Sequence, residues 1–447
     1  MKLSEIDATL REIRVSPVKT LGQNFLHDRN LARWIVDKSE LSPADYVVEI
    51  GPGLGALTEF ILESGARVLA IEKDQRLVEF LRKRFADSRL EVVHGDALDF
   101  DLRSLFAEPR VKLLGNLPYY ISSQLLLKFT KYPSPISLWL LMLQKEMARR
   151  ISAAPGTSDY GALSLVVQLQ YRVEFLRTVP ATVFLPEPDV DSAFVRITPR
   201  PPDELAPHDP ETFFRLVRQG FSQRRKQLRN LLRKEIPDWA EAAGRVGFDP
   251  RARAEELSLE QWIALSEQSR SGLSTVPSTA ASERFVVVDE NDHLIGDAPR
   301  SEVHGNNLRH RAVHLFIFNG QGELFLQKRS RWKDRHPLLW DSSAAGHVET
   351  GEEYDETAAR ELEEELGIKA ELTRVVKLPC SERTGWEFIW LYRGEHEGPF
   401  NLAKTEIEHG EFFPTEIVSR WVKARPDDFA PGFLECWRAF KHQGAAI

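Results

Sequence analysis

The stretch Tyr46-Val-Val-Glu-Ile-Gly-Pro-Gly-Leu-Gly55 decides the fold of the front of the chain. Its first five residues are typical of a buried β-strand, and the glycines that follow allow a sharp turn and a close approach to a ligand. Further β-rich runs alternate with helical stretches after it, at 67–71, 90–93, 112–114 and 137–143. Such alternation predicts parallel strands with crossover helices, which is an α/β fold with a doubly wound sheet.

Two breaks in composition divide the chain. Residues 266–283 are rich in Ser and Thr and lack apolar periodicity, and five prolines mark residues 198–210. We therefore predict an α/β domain, a helical subdomain, a linker and a mixed α/β domain, over residues 1–200, 201–268, 269–283 and 284–447. In the last of these, one helix near 355–366 is expected among strands near 285–289, 314–318, 324–328 and 388–392.

Composition and charge narrow the class of protein. The chain is 42% hydrophobic and 28% charged, as in soluble globular proteins. Residues 1–270 hold 38 Lys and Arg against 37 Asp and Glu, whereas residues 271–447 hold 21 against 30, which suggests different partners for the two halves. The longest apolar run, 136–143, is too short to span a bilayer, and the two cysteines suit a reducing compartment. We expect a cytoplasmic protein with neither a membrane nor DNA as partner.

Three strand ends predict a nucleotide cofactor. Gly51 and Gly53 form the turn after the first strand, and Glu72 ends the second, where its carboxylate can accept both ribose hydroxyls. Asp96 follows the third strand and suits the amine of an adenine. Either acid alone is also consistent with a solvated strand end. Together these features fit NAD as well as S-adenosyl-L-methionine.

The fourth strand favours S-adenosyl-L-methionine, because it ends in Leu114-Gly-Asn-Leu-Pro-Tyr119. The side-chain oxygen of Asn116 and a backbone carbonyl of Leu117 or Pro118 can accept the two hydrogens of an adenine amine, whose lone pair then points at a methyl sulfonium. Tyr119 offers a face for stacking an extruded base. This pattern predicts methyl transfer by positioning, with no metal. The alternative is a plain β-turn with a packed tyrosine.

These motifs resemble the ribosomal small-subunit RNA adenine dimethyltransferases over roughly residues 17–268. The resemblance rests on Gly22-Gln-Asn-Phe-Leu26, Glu49-Ile-Gly-Pro-Gly53, Gly115-Asn-Leu-Pro-Tyr119, Met142-Leu-Gln-Lys-Glu146, Phe184 with Val190-Asp-Ser-Ala193, and Phe221-Ser-Gln-Arg-Arg-Lys226. It implies a Rossmann-like, S-adenosyl-L-methionine-dependent methyltransferase domain with a small all-helical subdomain. The implied product is two methyl groups on each of two adjacent adenosines near the 3′ end of 16S rRNA in the small ribosomal subunit.

The resemblance also implies roles for individual residues. Those that would contact S-adenosyl-L-methionine are Asn24, Leu26, Gly51, Glu72, Asp96 and Asn116. Phe184 would pack on the target adenine opposite Tyr119. The basic residues of the helical segment are expected to contact RNA phosphates, with a merely solvated face as the alternative: Arg224, Arg225, Lys226 and Arg229. Another RNA, as in the related methyltransferases of 23S rRNA, stays an alternative substrate.

A second motif lies in the back half and reads Gly346-x5-Glu352-x7-Arg360-Glu-Leu-x-Glu-Glu-x-Gly-Ile368. Its glutamates Glu361, Glu364 and Glu365 stand at helical positions i, i+3 and i+4, so their carboxylates project from one face. Such like charges destabilise a helix unless a cation neutralises them, and oxygen ligands favour Mg²⁺ or Mn²⁺.

This motif resembles the Nudix hydrolases, over about residues 284–425. The resemblance implies a mixed α/β Nudix domain in which a metal-assisted water attacks a small diphosphate-linked substrate. Glu361, Glu364 and Glu365 would hold the metal. The catalytic base is left open among Glu361 and the other two glutamates of the set, or Glu406 and Glu408.

Parts of the same domain resemble the isopentenyl diphosphate isomerase branch: His304, Leu308-Arg-His310, Leu326-Gln-Lys-Arg329 and Gly346-His347. That branch uses histidines at positions like His310 and His347 for metal, and a cysteine where this chain has Ala345. Isomerase chemistry is therefore disfavoured, and His304, His310 and His314 are left open between structural and ligand roles. A back half retained as a binding or assembly module is the non-enzymatic alternative.

Overall fold

The computed structural model describes residues 3–17, 23–86, 88–118, 121–131, 133–201, 204–206, 208–269 and 283–444. The chain forms two compact units, residues 1–274 and 275–447. Within the described ranges, no helix has both the length and the apolar character needed to cross a membrane. Most of the predicted linker, residues 270–282, lies outside these ranges.

The first unit contains nine strands and eleven helices in its described part. The strands are β1 (Phe25–Leu26), β2 (Tyr46–Ile50), β3 (Arg67–Glu72), β4 (Leu90–His94), β5 (Val111–Asn116), β6 (Ile136–Gln144), β7 (Tyr171–Val179), β8 (Phe184–Leu185) and β9 (Ser192–Pro199). The helices are α1 (Leu3–Glu12), α2 (Arg29–Lys38), α3 (Thr58–Glu63), α4 (Gln75–Arg84), α5 (Ser122–Phe129), α6 (Lys145–Ser152), α7 (Ala162–Gln168), α8 (Pro210–Gly220), α9 (Leu228–Leu232), α10 (Trp239–Val246) and α11 (Leu259–Glu267).

Seven of these strands form one sheet in the order β4-β3-β2-β5-β6-β9-β7. The pairs from β4 to β6 are parallel, which confirms the predicted doubly wound α/β fold, and each of the five predicted strands lies within an observed one. The sequence did not predict that β9 pairs antiparallel with both β6 and β7. The connection from β7 to β9 holds only a 3-10 turn and the two-residue β8, which is too little for the crossover helix that parallel strands need.

The helical subdomain contains α8 to α11 and no strand in its described residues, as predicted. Its core includes Phe213, Leu216, Leu228, Trp239 and Trp262, all buried. One expectation was wrong, because residues 222–227 form a turn between α8 and α9 and not part of a basic helix. The turn is held by a bridge between Gln227 and Arg253 and by the Leu228 amide, which donates to the carbonyl of Ala252 at 3.0 Å.

The second unit also mixes strands and helices. Its strands are β10 (Arg284–Val288), β11 (Leu294–Pro299), β12 (His310–Phe318), β13 (Leu324–Arg329), β14 (Trp340–Asp341), β15 (Ala344–His347), β16 (Thr373–Leu378), β17 (Glu387–Glu395) and β18 (Ile407–Phe413). Its helices are α12 (Arg300–Gly305), α13 (Tyr354–Leu366), α14 (Thr415–Ala424) and α15 (Pro431–Gly444).

All nine strands belong to one mixed sheet centred on β12, which pairs parallel with β17 and antiparallel with β10, β13 and β15. Helix α13 carries the clustered glutamates, and its buried face packs Leu362 and Leu366 into a core with Val313 and Leu315 of β12. This packing holds α13 beside β15, so the glutamates lie next to the glycine that begins their motif.

Replacing Trp139 with alanine tests the core of the first sheet. Trp139 is fully buried in β6 and meets Tyr171 edge to face, with ring centroids 4.8 Å apart. We expect Trp139→Ala to lower the unfolding free energy of the first unit by about 3–5 kcal/mol, since an unfilled cavity adds to the lost burial. Amide hydrogen exchange of β5 and β6 peptides measures this. Leu127→Ala, at a residue 47% exposed, should change it little.

Candidate active sites

The carboxyl ends of β2, β3, β4 and β5 enclose a cleft of about 690 Å³ in the first unit. Gly51 and Gly53 adopt φ angles of +66° and +59° after β2, a conformation that disfavours any residue with a β-carbon. These two glycines turn the chain across the end of the sheet. A ligand in the cleft therefore lies against backbone on this side.

Glu72 connects the turn to the next strand. One of its carboxylate oxygens accepts from the Gly53 amide at 3.2 Å, and the other accepts from the Asp74 amide at 3.0 Å. Burial raises the pKa of this carboxyl group, although these amide hydrogen bonds oppose the shift. The carboxylate lines the cleft at the place where ribose hydroxyls were expected.

The residues predicted to contact the cofactor are distributed as follows. Six of them line the cleft: Asn24, Gly51, Gly53, Glu72, Asp96 and Asn116. Leu26 is buried and pairs with Phe184 in the two-stranded β1–β8 sheet, and its neighbour Phe25 lines the cleft instead. Sequence reasoning also missed Lys73, which forms a 2.7 Å ion pair with Asp96 and lowers the pKa of that carboxyl group.

The fourth strand presents the amide of Asn116 in a defined orientation. Its side-chain nitrogen donates to the carbonyl of Asn24 at 3.1 Å, so its oxygen is the atom left to accept from a ligand. The Pro118 carbonyl already accepts from the Ile121 amide at 3.1 Å. Leu117 is buried, and its amide donates to Met142 at 3.2 Å. Tyr119, the predicted stacking face, lies outside the described residues.

Phe184 is 3% exposed and belongs to a core cluster with Leu26, Met142 and Phe194. Its predicted contact with a target base stays a prediction. Among the basic residues, Arg225, Lys226 and Arg229 are exposed, as is Arg224. The Arg224 guanidinium donates to the carbonyls of Ser158 at 2.6 Å and Tyr160 at 3.2 Å.

The glutamates of α13 form the second candidate site. A β-carbon on Gly346 would fall 1.9 Å from a Glu361 carboxylate oxygen, so only glycine allows this close approach. Glu365 is 3% exposed, and its carboxylate accepts from the Ala345 amide at 3.2 Å and from the Gln327 side chain at 3.0 Å. The backbone of β15 therefore lies directly against both carboxylates.

The electrostatic environment of Glu361 and Glu365 favours a bound cation. Burial, followed by the charge of Glu365, raises the pKa of Glu361 to about 8, and burial also raises the pKa of Glu365. Arg360 partly offsets this repulsion by binding Glu361 at 2.8 Å and Glu364 at 3.0 Å. Glu361 and Glu365 are therefore two buried carboxyl groups whose repulsion is only partly offset, whereas the 60% exposed Glu364 side chain is drawn towards Arg360.

The two glutamates proposed as alternative bases are engaged in ion pairs. Glu406 pairs with Lys333, and Glu408 pairs with Arg331, whose Nε lies 3.2 Å from its carboxylate. Burial lowers the pKa of Lys333, which lies close enough to Glu365 and Glu361 to interact with both charges. Neither alternative base is excluded by these contacts.

The histidines separate into two environments. His314 is buried, and its Nδ1 lies 2.7 Å from the Ser342 hydroxyl. By contrast, His304, His310 and His347 form a cluster in which one ligand atom from each lies within 4.8 Å of the others. Glu387, which sequence reasoning missed, reaches this cluster at 3.2 Å from His347 Nε2.

The first unit has a doubly wound sheet, this cleft and an Asn-x-Pro segment at the end of β5, which define a methyltransferase with a nucleotide cofactor. In the second unit, the α13 carboxylates beside Gly346 define a Nudix-type domain. Comparison with known proteins agrees. Residues 17–270 match the family model described as ribosomal RNA adenine dimethylase, and residues 308–432 match the model described as NUDIX domain. The chain therefore belongs to the ribosomal RNA adenine dimethylase family and carries a NUDIX domain behind it.

Individual relatives resemble the front of the chain. It is 41% identical over 261 residues to ribosomal RNA small subunit methyltransferase A of Geobacillus thermodenitrificans (strain NG80-2), covering 56% of this chain and 89% of that protein. The chain is also 41% identical over 280 residues to the protein of the same name from Pelotomaculum thermopropionicum, covering 58% of this chain and 95% of that protein. The crystal structure of the 23S rRNA methyltransferase ErmE matches with 28% identity and a TM-score of 0.47, covering 55% of this chain and 99% of that one.

Glu49, buried beneath the glycine turn, gives the first unit a pH-dependent stability. Burial raises its pKa from 4.5 to about 7, and its carboxylate accepts from the Thr58 hydroxyl at 2.7 Å. Because Glu49 keeps its proton to a higher pH in the folded state than in the unfolded state, the free energy of unfolding falls as the pH rises from 4.5 through 7. The loss is about 3 kcal/mol at most.

The variant Glu49→Gln keeps an acceptor for Thr58 and removes the charge, so we expect a much smaller loss between pH 5 and pH 8. Hydrogen exchange of β2 and β5 peptides at the two pH values measures it. Glu63→Gln, at the exposed end of helix α3, which begins at Thr58, should behave like the unchanged protein. An equal loss of stability in Glu49→Gln would show that another group titrates.

Proposed function

We propose that the first unit uses S-adenosyl-L-methionine to dimethylate two adjacent adenosines near the 3′ end of 16S rRNA. The observation that carries this proposal is the orientation of Asn116, whose amide oxygen is left to accept from a ligand at the edge of the cleft. Membership of a methyltransferase family implies this cofactor, and the small-subunit relatives favour 16S rRNA over other RNAs.

The chain's own residues would position the two reactants. Glu72 accepts hydrogen bonds from ribose hydroxyls, and Asp96 accepts from the cofactor's adenine amine. When bound, S-adenosyl-L-methionine supplies a methyl group on a positively charged sulfur. Asn116 holds the target amine through its side-chain oxygen, so that the nitrogen lone pair faces that methyl group in line.

The second acceptor for the target amine is best assigned to the Leu117 carbonyl. The Pro118 carbonyl is already engaged with the Ile121 amide, whereas the Leu117 amide is anchored on Met142 of β6. This bond anchors Leu117 on the neighbouring strand and does not occupy the Leu117 carbonyl oxygen. The Asn116 side-chain oxygen and the Leu117 carbonyl would together fix the orientation of the target amine. Fixing this orientation is how positioning raises the rate of transfer.

The RNA would be held mainly through phosphate contacts. Arg225, Lys226 and Arg229 are exposed on the turn after α8 and at the start of α9. Arg224 keeps this turn near α7 through its contacts with Ser158 and Tyr160. Contacts of this type fix the position of an RNA and make binding dependent on salt.

Replacing Asn116 tests the site and the substrate together. We expect Asn116→Ala to reduce methyl transfer to unmodified 30S particles by about 100-fold or more, since an orienting hydrogen bond to the reacting amine is lost. Labelled S-adenosyl-L-methionine and mapping of dimethyladenosine near the 16S 3′ end measure this. The matched control is Asn30→Ala, at an exposed position of α2, which should keep full activity. Transfer to 23S rRNA but not to 30S particles would contradict the small-subunit assignment.

For the second unit we propose metal-assisted hydrolysis of a small diphosphate-linked substrate, with Mg²⁺ or Mn²⁺ held by Glu361 and Glu365 and completed by Glu364. The buried, mutually repelling carboxylates of Glu361 and Glu365 carry this proposal. A bound cation would supply the charge that these carboxylates need and would polarise the phosphate oxygens. Glu364 has only to rotate away from Arg360 to join them.

The change Glu365→Gln should abolish hydrolysis. We expect a loss of about 100-fold or more in Mg²⁺-dependent phosphate release across a panel of nucleoside and non-nucleoside diphosphate compounds, because a metal ligand loses its charge. Glu363→Gln on the same helix is the control, since Glu363 is exposed and pairs with Lys369. Absence of metal-dependent release from every compound would instead favour a binding module, and isomerisation of an isoprenoid diphosphate would favour the isomerase alternative.

A further inference from the structure

Helix α1 packs against one wall of the cleft in the first unit. Its buried residues are Ile6 and Leu10, and both belong to one apolar cluster with Phe25 and Leu77. Phe25 and Leu77 also line the cleft. A ligand in the cleft therefore contacts two side chains whose positions depend on α1.

The C-terminal end of α1 is held by Arg76, which lies in the first turn of α4. Helix α1 ends at Glu12, and Arg14 beyond it has a φ angle of +54°, which turns the chain out of the helix. The Nη1 of Arg76 donates to the Arg14 carbonyl at 2.8 Å. A cation at this end of a helix offsets the partial negative charge of its free carbonyl groups. Arg76 therefore fixes where the chain leaves α1.

The same guanidinium binds Asp74, the residue that caps the N-terminus of α4. Its Nε and Nη2 donate to the two carboxylate oxygens at 3.0 Å and 2.7 Å, so the contact is bidentate. The Asp74 carboxylate also accepts from the Arg76 amide at 3.0 Å and from the Gln23 side chain at 3.4 Å. Asp74 and Gln23 both line the cleft, whereas Arg76 is not among its lining residues. Arg76 thus joins α1 to the cleft from outside.

These contacts continue to Glu72, whose carboxylate is expected to bind the ribose hydroxyls. The Asp74 amide donates to this carboxylate at 3.0 Å. Asp74 is therefore connected to Glu72 through its backbone and to Arg76 through its side chain. The hydrogen bonds from Arg76 lower the pKa of Asp74, so its carboxylate stays charged and keeps the contact at neutral pH. A change at Arg76 would reach α1 and the ribose site together.

The contacts of Arg76 with Arg14 and Asp74, here called the Arg76 bridge, suit orientation better than stability. Ion pairs with an exposed partner contribute little to folding, and the Arg76 side chain is 45% exposed. The buried Ile6 and Leu10 are expected to keep α1 folded without the bridge. What the bridge adds is direction, because one planar guanidinium makes three charge-assisted hydrogen bonds to two separate parts of the chain.

We propose that Arg76 is a positioning residue for cofactor binding: through the Arg76 bridge it holds α1 and Asp74 at the cleft and slows the release of S-adenosyl-L-methionine and of its product, S-adenosyl-L-homocysteine. This inference rests on the cofactor proposed for the first unit. Arg76 follows β3, whereas Asn116 ends β5, two strands away in the sheet, so the bridge acts on cofactor retention and not on methyl transfer. Because each methyl group consumes one cofactor, the rate of exchange limits how fast one RNA receives several.

Release of labelled S-adenosyl-L-homocysteine from the full chain, chased with unlabelled compound, tests the proposal. We expect Arg76→Ala to raise the dissociation rate by about tenfold, since three charge-assisted bonds are lost. Single-turnover methyl transfer from cofactor already bound should change by less than about twofold. Arg76→Lys should give an intermediate rate, because an ammonium cannot replace the bidentate contact. The matched control is Arg82→Ala, because Arg82 lies on the same helix and also donates to a backbone carbonyl, that of Val92, at 2.7 Å.

Two further measurements separate orientation from loss of folding. Amide hydrogen exchange of α1 should become faster in Arg76→Ala, while exchange of β2 stays unchanged. Leu10→Ala loosens α1 at its buried face and should also speed release. Adding Arg76→Ala to Leu10→Ala should then have little further effect, since both act through α1.

Equal dissociation rates in Arg76→Ala and the unchanged protein would overturn the proposal, as would full additivity of the Arg76→Ala and Leu10→Ala effects. Faster exchange of β2 in Arg76→Ala would show a structural role and overturn it as well. Failure of the unchanged protein to bind S-adenosyl-L-homocysteine is a different result, because it would overturn the cofactor assignment and the role of Arg76 with it.

Discussion

The cleft of the first unit depends on the hydrogen bonds that Glu72 accepts from the amides of Gly53 and Asp74. Parallel pairing brings the carboxyl ends of β2 and β3 to the same edge, but it does not fix the turns that follow them. The buried carboxylate does so, because it holds the glycine turn after β2 and the start of α4 at one point. Lys73 then pairs with Asp96 and extends this arrangement to the end of β4. A cofactor would therefore meet a site whose shape is set before it binds.

The second unit is organised around a different constraint, which is the close approach of α13 to β15. Without a side chain at Gly346, Glu361 reaches the strand backbone, and Glu365 accepts from the next amide along that strand. The same approach buries both carboxyl groups, and this burial raises the pKa of each, with the charge of Glu365 adding to the shift of Glu361. This repulsion costs stability, which the proposed cation would offset. On the other face of β15, His347 joins histidines from two further elements, and the same strand thus contributes to two groups of potential ligands.

Much of this architecture was predictable because its signals are local. Five parallel strands, the helix with the clustered glutamates and the all-helical segment follow from residue patterns within single elements. The antiparallel β7 and β9 were not predicted, because the direction of a strand depends on its connection and not on its own residues. The sequence predicts helix for the basic turn after α8, since no local signal reveals that Gln227 pairs with Arg253.

What the sequence determined by itself is the chemistry: the glycine turn, the acids at strand ends, the Asn-x-Pro segment and the spacing of the glutamates on α13. These patterns work within a few residues, where backbone geometry alone brings side chains together. The tertiary structure decided which atoms of these residues can contact a ligand and which are held by other parts of the chain. In the folded chain the Asn116 side-chain nitrogen donates to the Asn24 carbonyl, and Leu26 and Phe184 pack in a hydrophobic core. Residues from four different elements also come together: His304, His310, His347 and Glu387. Such contacts depend on the pairing of distant strands, which no local pattern specifies.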